Sequence, residues 1–166
     1  MEKDKAPAGV AGQHMTDRYG VIGHPISHSK SPVIHRLFAE ATGQDISYDA
    51  IDIPPEHLAA RVRQLFAEGF RGLNVTVPHK TDVVKLTSRL TSRAELAGAV
   101  NTLIVHADGA VEGDNTDGTG LVNDLRQNLR TRLAGTRILI LGAGGATVVL
   151  AVGQAGRLQY EAVLLA

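Results

Sequence analysis

"GLNVTVPHK", Gly72 to Lys80, is the stretch from which the rest of the chain can be read. Val75 and Val77 alternate with Asn74 and Thr76, the period of a strand with one apolar and one polar face. Pro78 has no N–H for a sheet ladder and ends the strand, and Lys80 follows just past the stop. Upstream, "PPEHLAARVRQLFAEG" (54–69) sets Leu58, Val62, Leu65 and Phe66 on one helical face. Before it, "ISYDAID" (46–52) alternates as a strand, and Tyr19 to Ile22 is a short apolar strand ending at Gly23. Between those two strands a helix is expected, with Ser31 as its cap and Pro32 at its first position. It runs to about Ala41, with Ile34, Leu37, Phe38 and Ala41 on one face, and Thr42-Gly43 closes it. Strands alternate with helices, so the fold class is α/β: an open, mixed, largely parallel sheet flanked by helices.

Downstream, two weaker helical segments are expected near Thr81–Leu86 and Ser92–Ala97. "AVNTLIVHADGAVEGDN" (99–115) reads as a hairpin turning at Asp108-Gly109, and a helix from about Thr119 to Leu133 carries Leu121, Leu125 and Leu129 as one stripe. Near Gly135 the character changes. "TRILILGAGGA" (136–146) is a buried-type strand running into a glycine loop, the opening of a second βα unit. The expected organisation is a flexible leader over 1–17, an α/β domain over 18–133, and over 134–166 a truncated Rossmann βαβ unit. That unit reaches "EAVLLA", its next strand, at the last residue.

Composition narrows the function classes. The chain has 166 residues, 43% apolar and 20% charged, with zero formal net charge. Such a balance gives no basic surface for nucleic acid or anionic membranes. Without cysteine there is no disulfide, no thiolate zinc site and no thiol nucleophile. No apolar run reaches the ~18 residues of a membrane span. The N-terminus lacks the apolar region of a signal peptide, and Met15 is a candidate natural start. A cytoplasmic location is expected.

Three constellations carry possible chemistry. "GAGGA" (142–146) after a strand lets backbone N–H groups and a helix dipole approach a pyrophosphate, although an ordinary βα turn has the same glycines. "SHSKS" (27–31) puts hydroxyls beside a helix start, where they bind an anion or only cap the helix. Lys80 could serve as an acid/base if a carboxylate holds it, and Asp114 and Asp117 in "DNTDG" (114–118) are candidates. Taken singly, Lys80 reads as a surface cation and Asp117 as a helix N-terminal charge. Asn101 is a polar residue at the start of an apolar strand, free to bond its sheet neighbours or a ligand. His24, His28, His35, His57, His79 and His106 show no metal-ligand spacing and read as loop and surface residues.

Taken together, "GHPISHSKSP", "NVTVPHK", "AGAVNTL", "GDNTDG" and "GAGGA" resemble the shikimate dehydrogenase family in order and spacing, from Tyr19 to Ala146. The resemblance implies NADPH-dependent reduction of 3-dehydroshikimate to shikimate on the route to chorismate and aromatic amino acids. It implies a substrate domain, a Rossmann cofactor domain and a site in the cleft between them. Ser29 and Ser31 would bind the substrate carboxylate, and Thr76, Asn101 and Asp117 its hydroxyls. Lys80 would be the acid/base, positioned by Asp117, while Gly142, Ala143, Gly144, Gly145 and Ala146 would cradle NADP. Small-molecule substrate, no nucleic acid, no membrane, and a monomer or homodimer complete the expectation.

The sequence also departs from the family. After "GAGGA" the family carries a serine, a basic residue and a glycine, where Thr147, Val148 and Val149 stand here. The segment that reads the NADP 2′-phosphate, and a late glutamine that touches substrate, have no counterpart. The chain as it stands is therefore expected to turn over little substrate. Two alternatives stay open: a shikimate-binding module without catalysis, and a quinate/shikimate dehydrogenase using NAD.

Overall fold

The computed structural model of the protein describes residues 16–133. The glycine loop Gly142–Ala146, the unit expected over 134–166 and nearly all of the expected leader lie outside the described residues. Six strands form one sheet: β1 (Asp17–Gly23), β2 (Ile46–Asp52), β3 (Phe70–Val75), β4 (Arg89–Leu90), β5 (Thr102–Val105) and β6 (Val111–Asp114). The helices are α1 (Ser31–Thr42), α2 (Leu58–Ala67), α3 (Ser92–Ala97) and α4 (Asp117–Asn123). A 3₁₀ turn, Pro55–His57, leads into α2, and another, Asp82–Leu86, follows β3.

The sheet order is β2-β1-β3-β5-β6-β4. β1 runs parallel to β2 and β3, whereas β5 is antiparallel to β3 and to β6, and the short β4 lies parallel to β6. The α/β class and the mixed sheet agree with the sequence reading, and β4 is an addition to it. One consequence matters for function. Antiparallel pairing lays Thr102, at the start of β5, opposite Asn74 near the end of β3 and opposite Asp114 at the end of β6. The segments that follow β1, β3 and β6 and precede β5 therefore leave one edge of the sheet together.

The core explains why this sheet holds. Ile22, Leu73, Val75 and Leu103 are buried against Leu58, Val62 and Leu65 of α2, against Val83, and against Ala94 and Val100. Each fully buried aliphatic side chain contributes about 1.5–3 kcal/mol relative to an exposed one.

Several local expectations are corrected. β3 stops at Val75, so Val77 is outside the strand and 69% exposed. Ser31 is the first residue of α1 and caps nothing with its side chain; instead its backbone N–H donates to Ser29 Oγ at 3.2 Å. Gly43 closes α1 in the left-handed region, φ +66°, as the Thr42-Gly43 pair predicts. The apolar face of α1 is not buried: Val33, Ile34, Leu37 and Phe38 are all exposed. The last helix begins at Asp117, two residues early, and opens at Asp124–Asn128 into a π-helical turn. Leu129 N–H donates to Asp124 O, five residues back, and the wider turn breaks the four-residue stripe. Leu121 and Leu129 are exposed. His79, expected at the surface, is fully buried.

Candidate functional site

The loop after β1 is pinned before it reaches the sheet edge. Asp52, at the end of β2, accepts from the Ile26 N–H through Oδ1 and meets His24 Nδ1 through Oδ2, both at 3.1 Å. Ile53 N–H donates to Gly23 O at 3.0 Å. Gly23 is needed here because a Cβ would stand 2.6 Å from Thr76 Cγ2 and 2.9 Å from Ile26 Cδ1. Ser29 and Ser31 follow, both half-buried.

The segment after β3 is anchored from beneath. Thr76 O accepts from His79 N–H, closing a turn around the cis Val77–Pro78 bond. The His79 ring is buried with Nε2 2.7 Å from Ile53 O, which ties the turn to the end of β2. Lys80 O then accepts from Val100 N–H at 2.7 Å, just ahead of β5. With its backbone held on both sides, the Lys80 ammonium extends to Asp117 Oδ2 at 2.7 Å, the two side chains being 22% and 25% exposed.

Asp117 is positioned as carefully. Its N–H donates to Asn115 Oδ1, and the buried Asn115 amide donates to Ala99 O at 2.9 Å. Being first in α4, Asp117 also faces the positive end of that helix. Its Oδ1 accepts from Asn101 Nδ2 at 2.8 Å, and Asn101 Oδ1 accepts from Thr116 N–H at 3.1 Å.

Of the two carboxylates named from sequence, only Asp117 meets Lys80. Asp114 is buried and bonded by the Arg93 guanidinium through Nε and Nη2, by the Thr91 hydroxyl and by the Asn115 N–H. The Arg93 hydrogen bonds hold its carboxyl at about 2, below the ordinary carboxylate range, against the opposing effect of burial. It is a structural strut for the loop that carries Asp117. Lys80, Asn101 and Asp117 thus form one connected cluster. Thr76 is four residues from Lys80 on the same turn, and no hydrogen bond among the described residues joins Ser29, Ser31 or the Thr76 side chain to the cluster.

Tyr48, Asn74, Thr102 and Thr116 were not singled out from sequence. Tyr48 O–H donates to Asn74 Oδ1 at 2.7 Å, and Asn74 Nδ2 donates to Thr102 Oγ1 at 3.3 Å. The signal was present: Tyr48, Asn74 and Thr102 are polar residues inside strands, in registers that put them on one face. His35 of α1 stacks on Tyr48 at 3.8 Å between ring centroids. Among the described residues no group of His, Asp and Glu is arranged to hold a metal.

A polar edge with one held ammonium, one carboxylate and several hydroxyl and amide groups suits a small polyhydroxylated ligand. Comparison with known proteins points the same way. The shikimate dehydrogenase substrate binding domain family matches residues 21–103. The protein named shikimate dehydrogenase (NADP(+)) of Thioalkalivibrio sulfidiphilus is 58% identical over 130 residues, covering 78% of this chain and 48% of its own. Among solved structures, an Ael1 enzyme from Pseudomonas putida superposes with TM-score 0.81 and 43% identity, over 88% of this chain and 54% of that one. Shikimate 5-dehydrogenase from Thermus thermophilus in complex with shikimate superposes with TM-score 0.79 and 36% identity, over 88% and 55%. The chain spans about half the length of the curated relatives it matches.

Proposed function

The chain belongs to the shikimate dehydrogenase family, and from that footing we propose that residues 18–133 bind shikimate and 3-dehydroshikimate for an NADP-dependent dehydrogenase. The observation that carries the reading is the Lys80–Asp117 ion pair, braced by Asn101, at the edge where the loops after β1, β3 and β6 emerge. Ser29 and Ser31 take the ligand carboxylate. Thr76, Asn101 and Asp117 take its hydroxyls, and together these contacts fix the ring.

NADPH, when bound, supplies hydride to the C3 carbonyl carbon. The residues proposed for it, Gly142, Ala143, Gly144, Gly145 and Ala146, lie outside the described residues. What the described residues supply lies on the substrate side. There, an ammonium held by a carboxylate, beside amide and hydroxyl groups, matches what a ketone reduction requires of the protein. Lys80 Nζ gives its proton to the C3 oxygen as that oxygen gains negative charge, and Lys80 is reprotonated from solvent. In the oxidative direction Nζ takes the hydroxyl proton. Asp117 orients the lysine throughout and keeps Nζ at the ligand edge.

Calorimetric titration with shikimate tests the binding claim: a saturable one-to-one isotherm is expected, and no heat of binding contradicts it. Turnover is tested by fusing the chain to the part of the Thioalkalivibrio sulfidiphilus relative that it does not match. Oxidation of shikimate with NADP supports the dehydrogenase reading. Binding without turnover in that fusion favours a binding module, and a preference for quinate with NAD favours the other family activity.

A further inference from the structure

We propose that Thr102 is a positioning residue, whose hydroxyl relays a one-way chain of hydrogen bonds from Tyr48 and Asn74 to the Asn101 carboxamide. The proposal rests on the reading of Asn101 as a ligand-binding group. Of four links, the first two cross one face of the sheet and the last two continue to its edge. Tyr48 O–H donates to Asn74 Oδ1 (2.7 Å), Asn74 Nδ2 to Thr102 Oγ1 (3.3 Å), Thr102 Oγ1 to Asn101 Oδ1 (3.0 Å), and Asn101 Nδ2 to Asp117 Oδ1 (2.8 Å).

The sense of each link follows from what the atoms can do. An amide oxygen only accepts and an amide nitrogen only donates. Tyr48 stays protonated, burial having pushed its ionisation up, and its O–H is directed at Asn74 Oδ1. That turns the Asn74 nitrogen toward Thr102, whose oxygen must accept. The single Thr102 hydrogen is then left for Asn101, which can receive it only at Oδ1. With Oδ1 so engaged, Asn101 Nδ2 faces the Asp117 carboxylate. Asp117 ends the chain because its other oxygen already accepts from Lys80.

A carboxamide rotated by half a turn is nearly the same shape but presents an oxygen to a carboxylate, so its orientation has to be enforced by neighbours. On Asn101 Oδ1, Thr102 Oγ1 donates at 3.0 Å, Thr116 N–H at 3.1 Å and Thr116 Oγ1 lies at 3.4 Å, while Asn101 Nδ2 also reaches Thr116 Oγ1 at 3.0 Å. Thr102 is also the point where the face network enters the ligand edge, since strand pairing fixes it opposite both Asn74 and Asp114. It acts on the ligand only through Asn101.

The test uses the 166-residue chain with Thr102→Val, Thr102→Ser and Tyr48→Phe. In ¹H–¹⁵N spectra without ligand, Thr102→Val is expected to shift the Asn101 side-chain amide signals and speed their exchange with water. The backbone signals of α2, remote from the relay, should stay in place, and Thr102→Ser should restore the Asn101 signals. Unmoved Asn101 signals in Thr102→Val, or no recovery in Thr102→Ser, would overturn the proposal. If Thr102→Val does not fold, Tyr48→Phe decides: a shift at the Asn101 side chain supports the relay, and none refutes it. In shikimate titrations Thr102→Val is expected to raise Kd by roughly tenfold, the worth of about one hydrogen bond, and equal Kd values would count against it. Failure of the parent chain to bind shikimate would sink the ligand reading alone, leaving the ligand-free spectra to judge the relay.

Discussion

Lys80 illustrates how little a single residue says by itself. In the sequence it is one cation after a strand, and a surface charge would look the same. What changes its meaning is the carboxylate 2.7 Å away and the backbone bond from Val100 that holds the residue ahead of β5. Asp117 and Asn101 were named from sequence for the same pocket, but their mutual contact depends on β5 and β6 returning antiparallel beside β3. If Lys80 carries the proton, Lys80→Ala in the fused enzyme should lower kcat by roughly 10²–10⁴-fold, with shikimate Kd changed much less. Steady-state kinetics and calorimetry on the same preparation check the split. Unchanged kcat would return Lys80 to an ordinary surface charge.

The elements around the site make predictions of their own. Asp114 holds the loop between β6 and α4 through Arg93, Thr91 and Asn115. Its carboxyl ionises near 2 in the fold, below its unfolded value of about 3.9. The stability it contributes is therefore complete above about pH 4 and is lost as pH falls toward 2. Urea unfolding of the parent chain and Asp114→Asn should differ by on the order of 1–2 kcal/mol near neutrality, since the Arg93 side chain is half exposed and screened. The gap should close as pH approaches 2; a gap independent of pH would contradict this account. His79 is the second strut. His79→Ala should cost about 2–4 kcal/mol in the same assay, through the cavity it leaves and the lost bond to Ile53 O. A change below about 0.5 kcal/mol, the usual size for a surface substitution, would show that the turn does not need it.

Sequence patterns served some elements better than others, for physical reasons. The bounds of "ISYDAID" match β2 residue for residue, although as the edge strand its burial does not alternate and Ala50 is exposed. Leu58, Val62 and Leu65 are buried as their spacing predicts. The same logic failed on α1, where Ile34, Leu37 and Phe38 make an apolar stripe that stays exposed. Periodicity reports which residues share a face, and what covers that face is decided elsewhere. On the last helix the buried face belongs to Gly118 and Val122 rather than Leu121, and beyond Asn123 a π-helical turn changes the residue count per turn. His79 was misjudged since a buried histidine is set by a tertiary partner, the Ile53 carbonyl, which no local pattern encodes.

For the whole molecule, the proposed ligand edge draws on four chain segments that are far apart in sequence. On that proposal the serine loop, the turn from Thr76 to Lys80, the start of β5 and the start of α4 respond to one ligand together. The most direct measurement is a ¹H–¹⁵N map of the chain during titration with shikimate. The account predicts saturable shifts with one common Kd at Ser29, Ser31, Thr76, Asn101 and Asp117, while residues on the solvent side of α2, such as Arg63 and Gln64, stay still. Shifts confined to another surface, or none at millimolar shikimate, would contradict it.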